Sequence, residues 1–332
     1  DKMAVAASRS EEVWTRLVEF DKLPRLLNPQ GGYLHNENDP FHYTNLHQEF
    51  DSSDFPANFP EPRMRLRSQL ALELIGGDEK LTLEDVVELK HSMRMLLADR
   101  VKADLIVAVR SSNPEPELGR AVELVENWDN TVAANSRGAE LFRAWFKHYL
   151  LDDAEQIGSA RERREHAWEK AFRHPWDPSE PLTTPRGLSD PDRAVDAFRR
   201  AVEETQKTYG EWEVAWGEVH RVRQGSVDVP VGGCPSLMGC FRVLDFEERE
   251  SGMRVASRGD AWILAVEFSD PPRAYSVLAY GQSSKEDSPH HADQAELFAR
   301  NQLKKVAFTE DEIRAQLLRT YRLESEMTDE SQ

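Results

Sequence analysis

Long hydrophobic runs are missing from this sequence. Its apolar stretches are of the order of Ala261–Val266, far short of the roughly 20 residues that cross a bilayer. No charged-then-apolar leader opens the chain, which begins at Asp1, and a soluble protein is expected. Positive charge is also in deficit: 42 Lys and Arg against 60 Asp and Glu leave a formal net charge of -18. Such a surface repels a phosphate backbone, so neither nucleic acid nor a membrane is expected as a partner. Cysteine is scarce. The two, Cys234 and Cys240, stand in the run Gly-Gly-Cys-Pro-Ser-Leu-Met-Gly-Cys, whose glycines and proline allow the close approach a disulfide needs. A local bridge and two separate thiols are both open here. No His lies at zinc-finger spacing from the pair, which argues against a structural zinc. A Gly-rich phosphate loop, a G-x-S-x-G elbow, a Cys-His dyad signature and H-E-x-x-H are absent too, and with them the commonest nucleotide, serine-hydrolase and zinc-protease readings.

What is there falls into three stretches and a tail. Residues 1–80 combine a strand-like opening, Val13–Phe20, with a Pro-, Asn- and Gly-rich course through Asn28–Pro62, an ordered loop of a length that usually carries function. Residues 81–211 read as helical. Thr82 and Asp85 occupy capping-box positions, and Val86, Leu89, Met93, Leu96 and Leu97 at spacings of three and four predict one helix running on from them. Further amphipathic runs cover Pro116–Trp128 and Gly138–Leu151, a highly charged run covers Ala160–Phe172, and another helical run, opened by Ser189, Asp190 and Pro191, covers Pro191–Tyr209. Residues 212–323 turn β-rich: Phe241–Phe246, Met253–Ala256, Trp262–Phe268 and Ala274–Tyr280 predict an antiparallel meander, closed by short helices around Ala292–Leu303 and Glu310–Leu318. Residues 324–332 form an acidic tail expected to be disordered. The class is α+β, and a meander of this size exposes an apolar face whose partner layer is expected outside the chain.

Three clusters could carry chemistry. In Asn28-Pro-Gln-Gly-Gly-Tyr-Leu-His-Asn-Glu-Asn38-Asp-Pro40 two glycines free the backbone and three asparagines supply amides, which either stabilise an oxyanion or satisfy turn groups. Ser288-Pro-His290-His291-Ala-Asp293-Gln294 invites a metal. Adjacent histidines diverge on strand or helix, however, and a helix start with Asp293 in its first turn fits better. Arg63, Arg65 and Arg67 alternate with Met64 and Leu66, either as guanidinium forks for a carboxylate or as solvated arginines of an edge segment. His220, in Trp216-Gly-Glu-Val-His220, reads best as a packed, hydrogen-bonded histidine.

Taken in order, Asn28-Pro29-Gln30-x-Gly32-Tyr33, Asn36-x-Asn38, Trp216-Gly-x-x-His220, Gly259-Asp260 before an apolar strand, Tyr280-Gly281-Gln282-Ser283, and Ser288-Pro-His290 with Asp293-Gln294 resemble the later part of the β-subunit of the penicillin acylase family. The resemblance runs from about Val13 to Tyr321. It implies part of an αββα N-terminal-nucleophile (Ntn) hydrolase sandwich, with antiparallel sheets and a helical middle region, matured by autocatalytic cleavage of a precursor into two chains. It implies hydrolysis of an amide, with a β-lactam, a lipopeptide or an N-acyl homoserine lactone as substrate type, by a Ser, Thr or Cys at the start of the larger chain. By motif position Asn38 matches the oxyanion-donating asparagine, and Arg67 the arginine that orients nucleophile and neighbours, with Arg65 as a competing alignment. Asp1 cannot serve as the nucleophile, so this chain alone is expected to be inactive. No cofactor is required on this reading. Calcium is a further option through Asp51 or Asp54, with its other ligands elsewhere. The expected partners are the remainder of the β-subunit, a smaller α-subunit and a small-molecule amide, and the expected location is the periplasm or outside the cell. The alternative is a non-catalytic, family-derived scaffold.

Overall fold

Aromatic and aliphatic residues repeating at three and four through the middle of the chain decide where the main core forms. The computed structural model describes residues 8–320 apart from 14, 16, 78–79 and 152–159, so Asp1 and the acidic tail 324–332 lie outside the described residues. Helices α1 (Leu66–Ile75), α2 (Leu83–Lys90), α3 (Leu96–Ser111), α4 (Pro116–Asn127), α5 (Ala139–Leu151), α6 (Ala160–Ala171) and α7 (Pro191–Tyr209) occupy the first two thirds, with the ribbon β1 (Phe172–His174) and β2 (Arg186–Leu188) between the last two. α7 packs on both α5 and α3, and α4 on α3. Phe142, Trp145, Tyr149 and Phe198 are fully buried there, each stabilising the fold by roughly 1.5–3 kcal/mol. Their polar atoms are satisfied: Trp145 Nε1 donates to the Ala194 carbonyl at 3.0 Å and the Tyr149 hydroxyl to that of Ala171 at 3.1 Å. α7 begins as expected, with Pro191 in its first turn and the Asp190 carboxylate accepting from the Arg193 N–H.

The single helix expected from Thr82 through Leu97 is two. Its capping box forms, but the Met95 N–H donates to the Asn130 carbonyl and the Val132 N–H to that of Met93, both at 2.8 Å. The backbone around Met93–Met95 therefore pairs across to residues 130–132 instead of continuing the helix. The described residues of Val13–Phe20 form no strand: Ser10–Glu12 and Phe20–Lys22 are 3-10 turns, and Leu17 and Phe20 are exposed without a neighbouring strand to pair with among the described residues. The Arg63–Arg67 segment is no sheet edge either. It leads into α1, with Met64 and Leu66 buried.

After α8 (Trp216–Val219), strands β3 (His220–Gln224), β4 (Val227–Pro230), β5 (Leu244–Glu248) and β6 (Arg254–Gly259) form one sheet in the order β4-β3-β6-β5. Strands β7 (Trp262–Glu267), β8 (Arg273–Leu278) and β9 (Lys304–Lys305) form another, followed in the chain by α10 (Glu310–Ala315), while α9 (Ala295–Ala299) lies between β8 and β9. The predicted meander is thus divided between two sheets, and β3 pairs with β6 in parallel while the other ladders run antiparallel. The chain leaves the first sheet at Gly259, whose φ of 121° and contact with the Val243 carbonyl exclude a side chain. In the second sheet Ile263 and Val277 pack under Phe298 of α9, while Trp262, Leu264 and Val266 on the opposite face stay 61%, 43% and 37% exposed. Cys234 and Cys240 form a disulfide with Cα atoms 5.7 Å apart. Among the described residues no helix is long and apolar enough to cross a membrane.

Candidate active site

The loop from Asn28 to Pro62 contains no strand, and side chains give it its shape. Phe41 meets Phe50, Phe55 and Phe59 edge-on, with centroids 5.4, 4.8 and 6.0 Å away. Asn45, fully buried, donates through Nδ2 to the Gln30 and Tyr33 carbonyls, both at 2.9 Å. Its Oδ1 accepts from the His47 and Gln48 N–H groups at 2.8 and 3.1 Å. All four hydrogen-bonding positions of that amide are used, which pins the loop from inside.

Asn36–Asp39 stands above this frame. Asn36 Oδ1 accepts the Asn38 N–H at 2.9 Å, a turn bond, and Asn38 takes a φ of 67° that asparagine tolerates. Arg67, in the first turn of α1, donates from Nη2 to Asn38 Oδ1 at 2.7 Å and to the Glu37 carbonyl. A guanidinium only donates, so the amide atom facing it must be the oxygen, and Nδ2 is turned the other way. Among the described residues Nδ2 has no hydrogen-bond partner, and Asn38 is exposed. Arg65 reaches the same loop by other atoms: Nη2 donates to the Asn38 carbonyl at 2.7 Å, and the guanidinium pairs with Asp39.

Charge is arranged around these contacts. Burial works against the His35 imidazolium, but the Glu37 carboxylate at 2.7 Å, the Tyr43 carbonyl at 2.7 Å and Asp39 together raise its pKa above the ordinary value. Both ring nitrogens face acceptors, so both bonds form only when the ring is charged. Burial, then the Arg65 charge, lowers Arg67, while Glu37, Asp39 and Asp260 oppose this. A small depression in the loop is lined by His35, Glu37, Asp39, Tyr43, Arg63 and Ser68 among others, with Asn38 outside its lining.

The Gly259-Asp260 motif converges on this place from the other end of the sequence. Besides acting on Arg67, Asp260 accepts from Lys90 at 2.8 Å and from buried Arg242 at 3.4 Å. The Arg242 guanidinium also lies 4.0 Å over the Phe298 ring and donates to its carbonyl at 2.7 Å. The disulfide loop braces α1 beside Arg67: Gly239, at φ 78°, lets it approach until a Cβ there would stand 2.8 Å from Leu66 and 2.9 Å from Leu96.

The remaining motifs are internal supports. His220 stacks on Trp216 at 3.6 Å and bonds its carbonyl at 3.0 Å, as expected of a packed histidine. Gln294 ties Leu278 to α9 through its side chain. His290 pairs with Asp293 at 2.9 Å while His291 turns to Gln224 at 2.8 Å, so the two rings diverge. Asp293 lies just before Gln294, the cap of α9, rather than within its first turn. Among the described residues no group of three or more His, Cys, Asp or Glu could hold a metal ion. Asp51 is engaged with Ser53 at 2.8 Å, and Asp54 is exposed.

The penicillin amidase family model matches residues 1–315. The chain belongs to the penicillin amidase family. Relatives include an acyl-homoserine lactone acylase PvdQ of Pseudomonas fluorescens, 27% identical over 303 residues, 89% of this chain and 37% of that protein. Another PvdQ, of Pseudomonas savastanoi pv. phaseolicola, is 30% identical over 75% of this chain and 32% of its own length. Aculeacin-A acylase of Actinoplanes utahensis is 26% identical over 78% and 33%. The chain thus spans about a third of the length of the curated relatives it matches. A solved thermostable penicillin G acylase from Alcaligenes faecalis aligns with 94% of this chain and 60% of its own at a TM-score of 0.53 and 14% identity, so the α+β fold seen here is shared with that acylase.

Sequence reasoning missed Asp39, Ser68 and Asn45. Asn-Asp-Pro reads as ordinary turn chemistry, and Ser68 sits inside a helix that the sequence pattern does not announce. Only once the helix start at Arg65-Leu66 is known does its lack of a capping side chain imply that a cap comes from elsewhere.

Proposed function

We propose that this chain is the later part of the catalytic subunit of an acylase, with a Ser, Thr or Cys nucleophile outside the chain and Asn38 as a donor to the oxyanion. The nucleophile attacks the amide carbonyl carbon, its own α-amino group takes the proton, and the carbonyl oxygen gains charge. The α-ammonium returns that proton to the leaving nitrogen, which departs as the amine as the C–N bond breaks, and water hydrolyses the acyl-enzyme to the carboxylic acid and the free nucleophile. The observation that carries the reading is the fixed amide of Asn38, whose oxygen is held by Arg67 while Nδ2 is left to donate outward. A donor fixed beforehand needs no reorganisation as charge develops. Arg67 orients; Arg65 acts on the backbone.

The substrate is an acyl amide of β-lactam, lipopeptide or N-acyl homoserine lactone type; the name of the acyl-homoserine lactone acylases supports the last, and that of aculeacin-A acylase supports acyl removal in general. The remainder of the β-subunit and a smaller α-subunit complete the enzyme; the uncovered face of Trp262, Leu264 and Val266 supports a further layer. The disulfide favours a periplasmic or secreted location. The reaction needs no cofactor, and calcium at Asp51 or Asp54 would require ligands from outside the chain. The chain alone releases no acyl group on this reading.

The test is Asn38→Ala in the full-length enzyme, which should lower kcat on the order of 10² to 10³-fold with little change in KM. One observation favours the scaffold alternative: Asn38 does not line the nearby depression. An Asn38→Ala enzyme with unchanged kcat would leave that alternative standing.

A further inference from the structure

We infer that Asp39 is a positioning residue that locks Asn38 to Arg67; the inference rests on the proposed role of Asn38. Helix α1 starts without a capping side chain of its own, because its cap position is Arg65. The missing acceptor comes from Asp39, 26 residues upstream. Its carboxylate, 9% exposed, accepts the Arg65 N–H at 2.9 Å and also binds the Ser68 hydroxyl and the Arg65 guanidinium. A negative charge at a helix N-terminus is favourable in itself. Here it has a second effect, because of what lies on either side.

Asn38 is the residue before Asp39, and Arg67 lies in the turn that Asp39 caps. One short, buried carboxylate therefore joins the peptide carrying the proposed oxyanion donor to the turn carrying the arginine that fixes the donor's orientation. The other bonds across this gap come from the ends of long side chains, Arg67 Nη2 to Asn38 and Glu37, and Arg65 Nη2 to the Asn38 and Glu37 carbonyls. Even the Arg65 contact depends on Asp39, which holds Nε and leaves Nη2 for the Asn38 carbonyl. Removing Asp39 frees Arg65 and unties the peptide after Asn38 from the first turn of α1, so that Arg67 is left to hold Asn38 and Glu37 by its Nη2 alone. A displacement of about 1 Å at a catalytic group is worth up to roughly 100-fold in rate.

The experiment is a double-mutant cycle in the full-length enzyme, with kcat expressed per nucleophile titrated by an acylating inhibitor so that misfolded or unprocessed molecules drop out. Asp39→Ala should lower kcat tenfold or more with KM within about threefold, Asp39→Asn should recover part of the loss, and Asp39→Ala in an Asn38→Ala background should cost nothing further. The inference is overturned if the Asp39→Ala loss per titrated site is below tenfold, if Asp39→Asn is no better, or if the two losses multiply. Should Asp39→Ala yield no mature enzyme, Ser68→Ala removes one bond of the same bridge: a loss of threefold or more that vanishes in the Asn38→Ala background supports the inference, and unchanged kcat overturns it. A silent Asn38→Ala overturns the oxyanion reading itself, whereas a slow Asn38→Ala beside a normal Asp39→Ala overturns only the positioning role.

Discussion

Acidification should strip stability from this fold through imidazoles kept neutral by burial, which lowers His91 to about 4 and His220 further still. His220 is 1% exposed, stacked on Trp216 at 3.6 Å with an interplanar angle of 5°, and edge-on to Phe246 at 4.6 Å. Its Nδ1 holds the Trp216 carbonyl, while Nε2 stands 3.9 Å from Glu140, whose two oxygens are already taken by Arg143 at 2.7 Å. Burial pushes the His220 pKa down to about 3, with Glu140 opposing and the Arg143 and Arg254 charges reinforcing. The unfolded ring titrates at roughly 6.5. Between these values the unfolded chain binds a proton that the folded chain refuses. The contribution of this ring to stability is therefore complete above about pH 6.5 and declines as pH falls toward 3, by at most about 1.4 kcal/mol per unit. From pH 7.5 to 5 the loss at His220 is about 2 kcal/mol. Glu140, held down to about 2 by Arg143, His220 and Arg254 against its burial, contributes stability present above its unfolded value and lost only as pH falls below it, so it is silent in this window. His220→Phe should be less stable at pH 7.5, since the Trp216 carbonyl loses its donor, yet show a flatter pH dependence. Urea unfolding followed by tryptophan fluorescence at pH 7.5, 6.5, 5.5 and 5 reads both. Parallel curves for parent and variant would refute the argument.

Two other outcomes follow from the packing. Opening the disulfide by Cys234→Ser with Cys240→Ser frees a loop with a sequence separation of 6, which should cost about 2 kcal/mol and about 3 °C in Tm for a chain of this size; calorimetry on parent and variant checks it, and an unchanged Tm would contradict it. Replacing Trp262 and Leu264 by Ser on the uncovered face of β7 should make the isolated chain more monodisperse in sedimentation, while lowering the yield of the assembled enzyme; an equal yield would show that nothing packs on that face.

How much of this was legible depended on whether the deciding interactions were local. α4, α5 and α7 follow from apolar spacing and from Asp190-Pro191, all within a few residues of one another, and α6 from a run of charged helix formers. α1 escaped because consecutive residues from Ser68 to Leu72 are buried, which erases the one-sided pattern, and because its cap is Asp39. The break before Leu96 depends on Asn130 and Val132, and the parallel pairing of β3 with β6 joins segments separated by two other strands. Neither leaves a mark in a short window. β3 and β4 were also missed, since their outward positions carry Arg, Gln and Asp between short β-branched residues. At the site, Asn38, Arg65 and Arg67 could be marked by resemblance, and the open question of the two cysteines closed in favour of the bridge. The residues that hold them, Asp39, Ser68, Asn45 and Asp260, act over 12 to 200 or so positions of sequence and become visible only once the chain has folded.

The central claim is that a nucleophile from outside this chain acts beside Asn38. N-terminal sequencing and intact mass of the mature protein from its source test it most directly. The account predicts that the chain extends upstream of Asp1 to a Ser, Thr or Cys with a free α-amino group. A mature chain that begins at Asp1, with no partner chain supplying such a residue, would contradict it and leave the scaffold reading in its place.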